Sequence, residues 1–434
     1  MEFVISSIYV LLFLILISKW KIFSINDIPR KDIAAAFLIK ILAAFVLIWI
    51  YSDYYKERHT ADIFKYFDDS LIISSSFLNN PKDFFSMIVG FENNYEYLHQ
   101  NYFINMNHWD SSYSSTILNE SRLVIRLNAI VGLISFKIYF IHALFFSFIS
   151  LIGFVFLVKT VKKISPKENV RHVFWVLILF PSILVFSSGV LKEPLIILGL
   201  GGFSYLLITL FKNKKQIIKK IIFLILCLLL IYKIKFYVFC CLFSGLLIFI
   251  SIKKINKNPH LIFLVNLIAI GFVFMLLHLS NNTYDPISII SKKQEDFIRL
   301  AEFYNAGSIM KITEIKNDFF SFLKAIPSGF MNSLLRPFPW EITSKIHLIS
   351  IFENFLMLGL IGYVLSKLKK VKKNLYQNMY GYIYSSLIFI VFLYCIVGMT
   401  TPVFGALIRY KIPGLIVLLI ILVPLFKKTY KSKT

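Results

Sequence analysis

The net positive charge of this chain lies almost entirely in short breaks between long apolar runs. Six such segments, residues 19–33, 159–172, 212–220, 253–260, 367–378 and 427–434, hold 26 of the 47 Lys and Arg residues but only three acids, Asp27, Asp32 and Glu168. The rest of the 434 residues is close to neutral, so nearly all of the formal +24 lies in those breaks. Apolar runs near the roughly 20 residues needed to cross hydrocarbon, punctuated by cationic ends, fold as membrane-spanning helices, because only there are all backbone polar groups satisfied within the segment. A chain that is 58% hydrophobic, with mean hydropathy +0.73, lies far outside the soluble globular range.

The apolar runs fall at about 3–18, 34–51, 138–158, 173–187, 194–211, 221–232, 237–252, 261–279, 348–366, 379–398 and 412–426. Lys and Arg in short loops stay on the cytoplasmic side. Eleven crossings with the N-terminus outside and the C-terminus inside put all six basic segments on that side. The first run has no basic leader and no small-residue cleavage site after it, so it reads as a retained span. The expected architecture is therefore all-α, a polytopic transmembrane helical bundle forming one integral membrane domain over 1–434. Two long extracytoplasmic loops, 52–137 and 280–347, are expected to carry interfacial helices.

Six separate cationic patches beside lipid match anionic headgroups rather than nucleic acid, which is excluded as a partner. Cys227, Cys240, Cys241 and Cys395 all lie in apolar runs and show neither zinc spacing nor a disulfide framework. In the first loop Phe64, Phe67, Leu71 and Leu78 recur at helical spacing beside Asp62, Lys65, Asp68 and Asp69, the pattern of an amphipathic surface helix. A polar aromatic stretch follows, from Tyr95 through Tyr97, Tyr102 and Trp109 to Tyr113, and is a candidate for stacking on a sugar. Arg122 and Arg126 then share one helical face. The second loop has a mixed-charge helical portion from about Ser291 to Lys324 and ends Leu-Leu-Arg-Pro-Phe-Pro-Trp-Glu; its two prolines predict a rigid extended piece carrying Arg336, Trp340 and Glu341.

Cations on the outer face run against the positive-inside bias and need a local reason. They are Arg122, Arg126, Lys192, Lys233, Lys235, Arg336, Arg409 and Lys411, accompanied by Asp62, Asp68, Asp69, Glu193, Glu341 and Glu353. Arg, by a bidentate fork, and Lys, as a point charge, hold phosphates, and a carboxylate takes a proton from an acceptor hydroxyl. Glu353 and Asn354, inside the ninth run, are expected to face a cavity or a partner cation, and His142, His278 and His347 are expected at the interface. Asp68-Asp69 is one half of a divalent-metal site if an outside partner completes it, but the preferred reading is a solvated helix face, and no cofactor is implied. Lys192 and Glu193 either pair with each other at a helix start or bind substrate.

Four stretches carry a family resemblance: Ala61-Asp62-Ile-Phe-Lys-Tyr66, Pro181 to Glu193, Arg336-Pro-Phe-Pro-Trp-Glu341, and Gly405 to Arg409. They resemble bacterial inner-membrane proteins of surface-polysaccharide synthesis. They are similar to the O-antigen-polymerase and EpsG-like proteins and, more broadly, to multispanning C-type glycosyltransferases. The resemblance implies a polyprenyl-phosphate (undecaprenyl-type) sugar donor and a glycan acceptor. It implies a catalytic base early in the first outer loop, here Asp62, and metal-free outer-loop arginines, here Arg336 and Arg409. The acid-bearing loop follows the second span rather than the first, a departure that one added N-terminal span explains.

The expected activity is sugar transfer or polymerisation on the extracytoplasmic face. Asp62 or Glu341 would act as base, with Arg336, Lys192 and Arg409 on the carrier phosphate and Glu193, Arg122, Arg126 and Lys411 as further binding residues. A lipid-linked oligosaccharide flippase, or another transporter, is the main alternative; it calls for short loops on both faces and mid-membrane charges, of which Lys40 is the plain example. A non-enzymatic assembly subunit is the other.

Overall fold

The computed structural model describes residues 1–54, 58, 61–90, 95–110, 120–165, 170–213, 215–255, 258–280, 285–367 and 380–431. Tyr113 and most of the basic segments 367–378 and 427–434 are therefore outside the described residues or side chains. The helices are, in order, α1 (Glu2–Lys19), α2 (Arg30–Tyr54), α3 (Asp62–Asn79), α4 (Pro81–Val89), α5 (Tyr95–Asn101), α6 (Arg122–Gly132), α7 (Tyr139–Ile164), α8 (Arg171–Leu179), α9 (Pro181–Phe186) and α10 (Glu193–Lys212). There follow α11 (Ile217–Ile234), α12 (Phe236–Lys254), α13 (Pro259–Leu279), α14 (Pro286–Phe303), α15 (Phe319–Leu335), α16 (Lys345–Lys367), α17 (Tyr380–Thr400), α18 (Phe404–Tyr410) and α19 (Ile412–Lys431). Among the described residues, strand-like pairing is limited to isolated bridges such as Ile309 with Val403. Among the described residues the protein is all-helical, and the chain divides into two compact units, one ending at Phe236 and the other taking in Tyr237 onward together with residues 180–182.

Among the described residues, eight helices, α1, α2, α7, α10, α12, α13, α16 and α17, are long and apolar enough to cross a membrane, and α18 with α19 makes a ninth if that pair, bent by 48°, is one span. The other two apolar runs take a different form. The run at 173–187 is cut at Phe180-Pro181, where proline lacks an N–H and its ring disfavours helical backbone before it. The run at 221–232 lies in α11, whose 18 residues include Lys219, Lys220 and Lys233.

In the first unit, three basic segments meet at one end. Asp27 pairs with Lys162 at 2.7 Å, Asp32 accepts from Arg171 and from Trp175 Nε1, Lys159 reaches Ile22 O, and Lys212 reaches Lys163 O. Two of the three acids in the basic segments are thus internal counter-ions. Between the ends, α7 and α10 touch backbone to backbone: a Cβ on Gly201 would lie 2.2 Å from Gly153 O, so side chains are excluded there and the helices pack as small-residue membrane helices do. His142 is buried in α7 rather than interfacial, because Asn128 Oδ1 at 2.9 Å and Ser135 Oγ at 2.8 Å satisfy its ring nitrogens.

In the second unit, His260 packs on Tyr380 and Tyr384 and hydrogen-bonds the Tyr384 hydroxyl. The basic segment 253–260 therefore lies beside the residues that follow 367–378. The expected helix from Ser291 to Lys324 is instead α14 and α15 with an irregular stretch between them. Gln294, buried in α14, organises that stretch by accepting from Ile315 N and donating to Thr313 O and Met399 O. Asp285 and Asp318 cap the two helices by accepting from backbone N–H groups of their first turns. His278 pairs with Asp285 at 3.0 Å, and His347 is buried.

Candidate functional site

The end of the first unit opposite its basic segments is built on an apolar cluster of Leu47, Tyr51, Ala61, Ile63, Phe64 and Leu191. That cluster joins the last turns of α2, the start of α3 and the non-helical turn 187–192. Asp62 adjoins Ala61 and Ile63 of this cluster in sequence, and Lys192 adjoins Leu191. The turn is held from below by Lys40, fully buried in α2, which donates to Ser187 O at 2.9 Å, Ser187 Oγ at 2.5 Å and Ser188 Oγ at 3.1 Å. Non-helical backbone survives at membrane depth only with such partners. Lys40 is thus a fastener of the turn.

Asp62 opens α3, where a carboxylate is favoured by the helix dipole. Its Oδ1 lies 3.6 Å from His108 Nε2, and the two side chains are 32% and 26% exposed. His108 also packs against the Tyr66 ring. Two residues of the Asp68-Asp69 pair divide their work. Asp68 makes a two-bond pair with Arg58, at 2.8 and 3.0 Å, near the surface. Asp69 is 1% exposed, not on a solvated face, and its two carboxylate oxygens accept from Asn107 N at 2.8 Å and His108 N at 2.7 Å. Burial raises the Asp69 carboxyl to about 6, against the lowering effect of those two bonds. No group of three or more His, Cys, Asp or Glu residues placed to hold a metal occurs among the described residues.

The aromatic stretch does not offer Trp109 for stacking on a sugar. Trp109 is fully buried, stacked on Phe103 at 4.2 Å, with the guanidinium groups of Arg122 and Arg126 at 4.9 and 5.2 Å from its ring. Arg122 Nε donates to Trp109 O and its Nη2 to Asp110, while Arg126 Nε donates to Met87 O at 2.7 Å. The shared helical face expected for these arginines is present, but it clasps the 103–110 loop. Tyr102 and Tyr97 both donate to Asp83 Oδ2, and burial together with that carboxylate holds the Tyr102 phenol up at about 12. Lys192 reaches Glu120 at 3.2 Å, and Glu193 forms a buried pair with Lys235 at 3.2 Å.

The second unit carries Arg336, Glu341, Arg409 and Lys411. Arg336 is extended, as expected, but Pro339–Glu341 forms one 3-10 turn, because proline suits a first helical position and Glu341 Oε2 accepts from Phe338 N at 3.0 Å. The other Glu341 oxygen lies 3.3 Å from Arg336 Nε, and Arg336 Nη1 donates to Lys311 O at 2.9 Å. Glu341 is thereby occupied in shaping its own turn. Glu353 and Asn354 do face a cavity, which also presents Phe180, Ser333, Tyr394 and Lys411. Glu353 accepts from Ser182 N at 2.6 Å. Asn354 accepts from Lys411 Nζ at 2.8 Å and donates to the carbonyls of Leu335 and Arg336. Lys411 stands at the bend between α18 and α19, and Arg409, on α18, is buried.

Neither a family model, nor a curated protein, nor a solved structure matches the chain. His108 is the residue that reading the sequence missed. It is 46 positions from Asp62, in a stretch with no periodicity to mark it.

Proposed function

We propose that the protein is a multi-pass enzyme of a bacterial inner membrane that transfers or polymerises a polyprenyl-phosphate-linked sugar on the extracytoplasmic face. Eleven crossings are proposed, with α8 plus α9 and α11 as the two irregular ones, the N-terminus outside and the C-terminus inside. What supports the reading is that Asp62 and Lys192 both flank, in sequence, members of the Leu47–Leu191 apolar cluster, at the end of the first unit away from its basic segments. A carboxylate and a cation beside the end of a membrane helix are what transfer from a lipid phosphate needs: Asp62 to accept the acceptor proton and Lys192 to offset charge on the departing phosphate. Asp62 is preferred to Glu341 as base because both Glu341 oxygens are engaged within their own turn. Arg336 and Arg409 remain proposed phosphate contacts of the second unit.

A deletion strain analysed for the size distribution of its surface glycan tests this. Loss of long chains with single units retained identifies a polymerase, and loss of one sugar identifies a single-sugar transferase. An unchanged glycan overturns the proposal. The transporter alternative draws its support from the Glu353, Asn354 and Lys411 cavity, since intramembrane charges commonly mark a transport path. It predicts lipid-linked glycan of normal length accumulating on the inner leaflet of the deletion strain.

A further inference from the structure

We infer that His108 and Asp62 form a proton-accepting pair, with His108 the second catalytic residue of the site. The inference rests on the transferase reading and changes it at one atom: the acceptor proton goes to His108, with Asp62 as the carboxylate that supports it. Three contacts point to it. His108 Nε2 faces Asp62 Oδ1 at 3.6 Å, with both side chains partly open to solvent, a spacing that closes on substrate binding in many acid–base pairs. The backbone on the N-terminal side of the ring is fixed by Asp69, a buried carboxylate whose two oxygens are both committed to the Asn107 and His108 N–H groups. On the C-terminal side, Arg122 holds the Trp109 carbonyl, and Trp109 is sandwiched between Phe103 and two guanidinium groups. Burying Asp69 is unfavourable in itself, yet what it orders is a loop ending in one half-open imidazole beside a half-open carboxylate. Asp69 is a positioning residue, and His108 is what it positions.

The chemistry balances without an added reactant. With Nε2–H turned to Asp62, the His108 Nδ1 takes the proton of the acceptor hydroxyl. The acceptor oxygen bonds to the anomeric carbon as that carbon's bond to the carrier phosphate breaks, and the bonding pair leaves on the phosphate oxygen. Asp62 stabilises the imidazolium, and the proton later returns to water or to the phosphate.

The test uses full-length protein and two readouts. In the deletion strain, Asp62→Ala and His108→Gln, each checked for wild-type membrane levels, are expected to lower glycan output about 100-fold or more, the usual worth of general base catalysis. Loss with Asp62→Ala but full output with His108→Gln overturns the His108 assignment and leaves the transferase reading intact; full output with both overturns the pair, whereas an unchanged glycan in the deletion strain itself sinks the underlying reading. The second readout needs no substrate. Diethyl pyrocarbonate attacks neutral imidazole, so at pH 6.5 His108 in Asp62→Asn should react faster than in the parent protein, because the carboxylate that favours the imidazolium is gone. An equal rate overturns the pairing whatever the glycan shows.

Discussion

Replacing Asp69 tests how the 103–110 loop is held. Each of its two bonds joins a carboxylate oxygen to a backbone N–H, at 2.8 and 2.7 Å, and such charge-assisted bonds contribute about 1.5–3 kcal/mol apiece. Against this stands burial, which lifts the carboxyl from 3.8 to about 6. A folded-state value above the unfolded one means the protonated acid is the favoured folded form. Its contribution to stability is full below pH 3.8 and is lost as pH rises through about 6, a cost of roughly 3 kcal/mol at neutral pH. The value of about 6 already includes the lowering by the two bonds, so the ionised carboxylate is a net cost in the global balance at neutral pH. Asp69→Ala should therefore not lower the midpoint of unfolding, while removing about 2 kcal/mol of local protection from each of two amides. That corresponds to roughly 30-fold faster hydrogen exchange at Asn107 and His108. Asp69→Asn keeps one acceptor oxygen and should free only one amide. In the parent protein the protection factor of the pair should fall as pH drops below about 6, because a protonated carboxyl has one fewer accepting oxygen. Peptide-resolved exchange in detergent measures all three, and unchanged protection in Asp69→Ala would refute the argument.

Four further outcomes follow from named contacts. Gly201→Ala drives a Cβ to 2.2 Å from Gly153 O and should cost on the order of 1–3 kcal/mol, read as a lower melting midpoint in detergent, whereas Gly405→Ala, with nothing within 4 Å of its Cβ, should leave the midpoint unchanged. Arg126→Ala loses the bond to Met87 O and the contact with the Trp109 ring, so limited proteolysis within 103–110 should accelerate; Arg126→Lys should not restore the parent rate, because a lysine has no planar fork to serve both partners. Lys40→Met removes three donors from the 187–192 turn, and a cysteine placed at buried Val190 should then become reactive to maleimide. Single cysteines at Asn107 and Lys215 should label from opposite sides of the membrane, and labelling from the same side would overturn the proposed topology.

Much of the fold was legible because membrane solvation leaves few choices. Apolar length marks a span, and charge marks its end, so α2, α7, α10, α12, α13, α16 and α17 stand close to their expected bounds. The amphipathic repeat from Phe64 to Leu78 gave α3, and the placement of Glu353 and Asn354 beside a cavity and a cation followed from the cost of polar groups in hydrocarbon. The candidate site was legible only in its chemical types. Arg122 and Arg126 were on one face as expected, but a helical repeat cannot say whether that face meets a phosphate or the ring of Trp109. Glu341 was noticed for its charge, and only its place in a 3-10 turn shows both oxygens engaged.

By itself the sequence determined that this protein is a helical membrane protein with its cations gathered at helix ends, because the transfer of charge and backbone into lipid is governed residue by residue along the chain. Tertiary structure alone decided that Lys40 fastens the 187–192 turn, that Asp69 is buried, and that His108 faces Asp62. Those pairings join residues tens of positions apart, through loops whose sequences have no period. Only the packing of α2, α3, α7, α9 and the 187–192 turn around a common apolar cluster sets which side chains come within reach of one another.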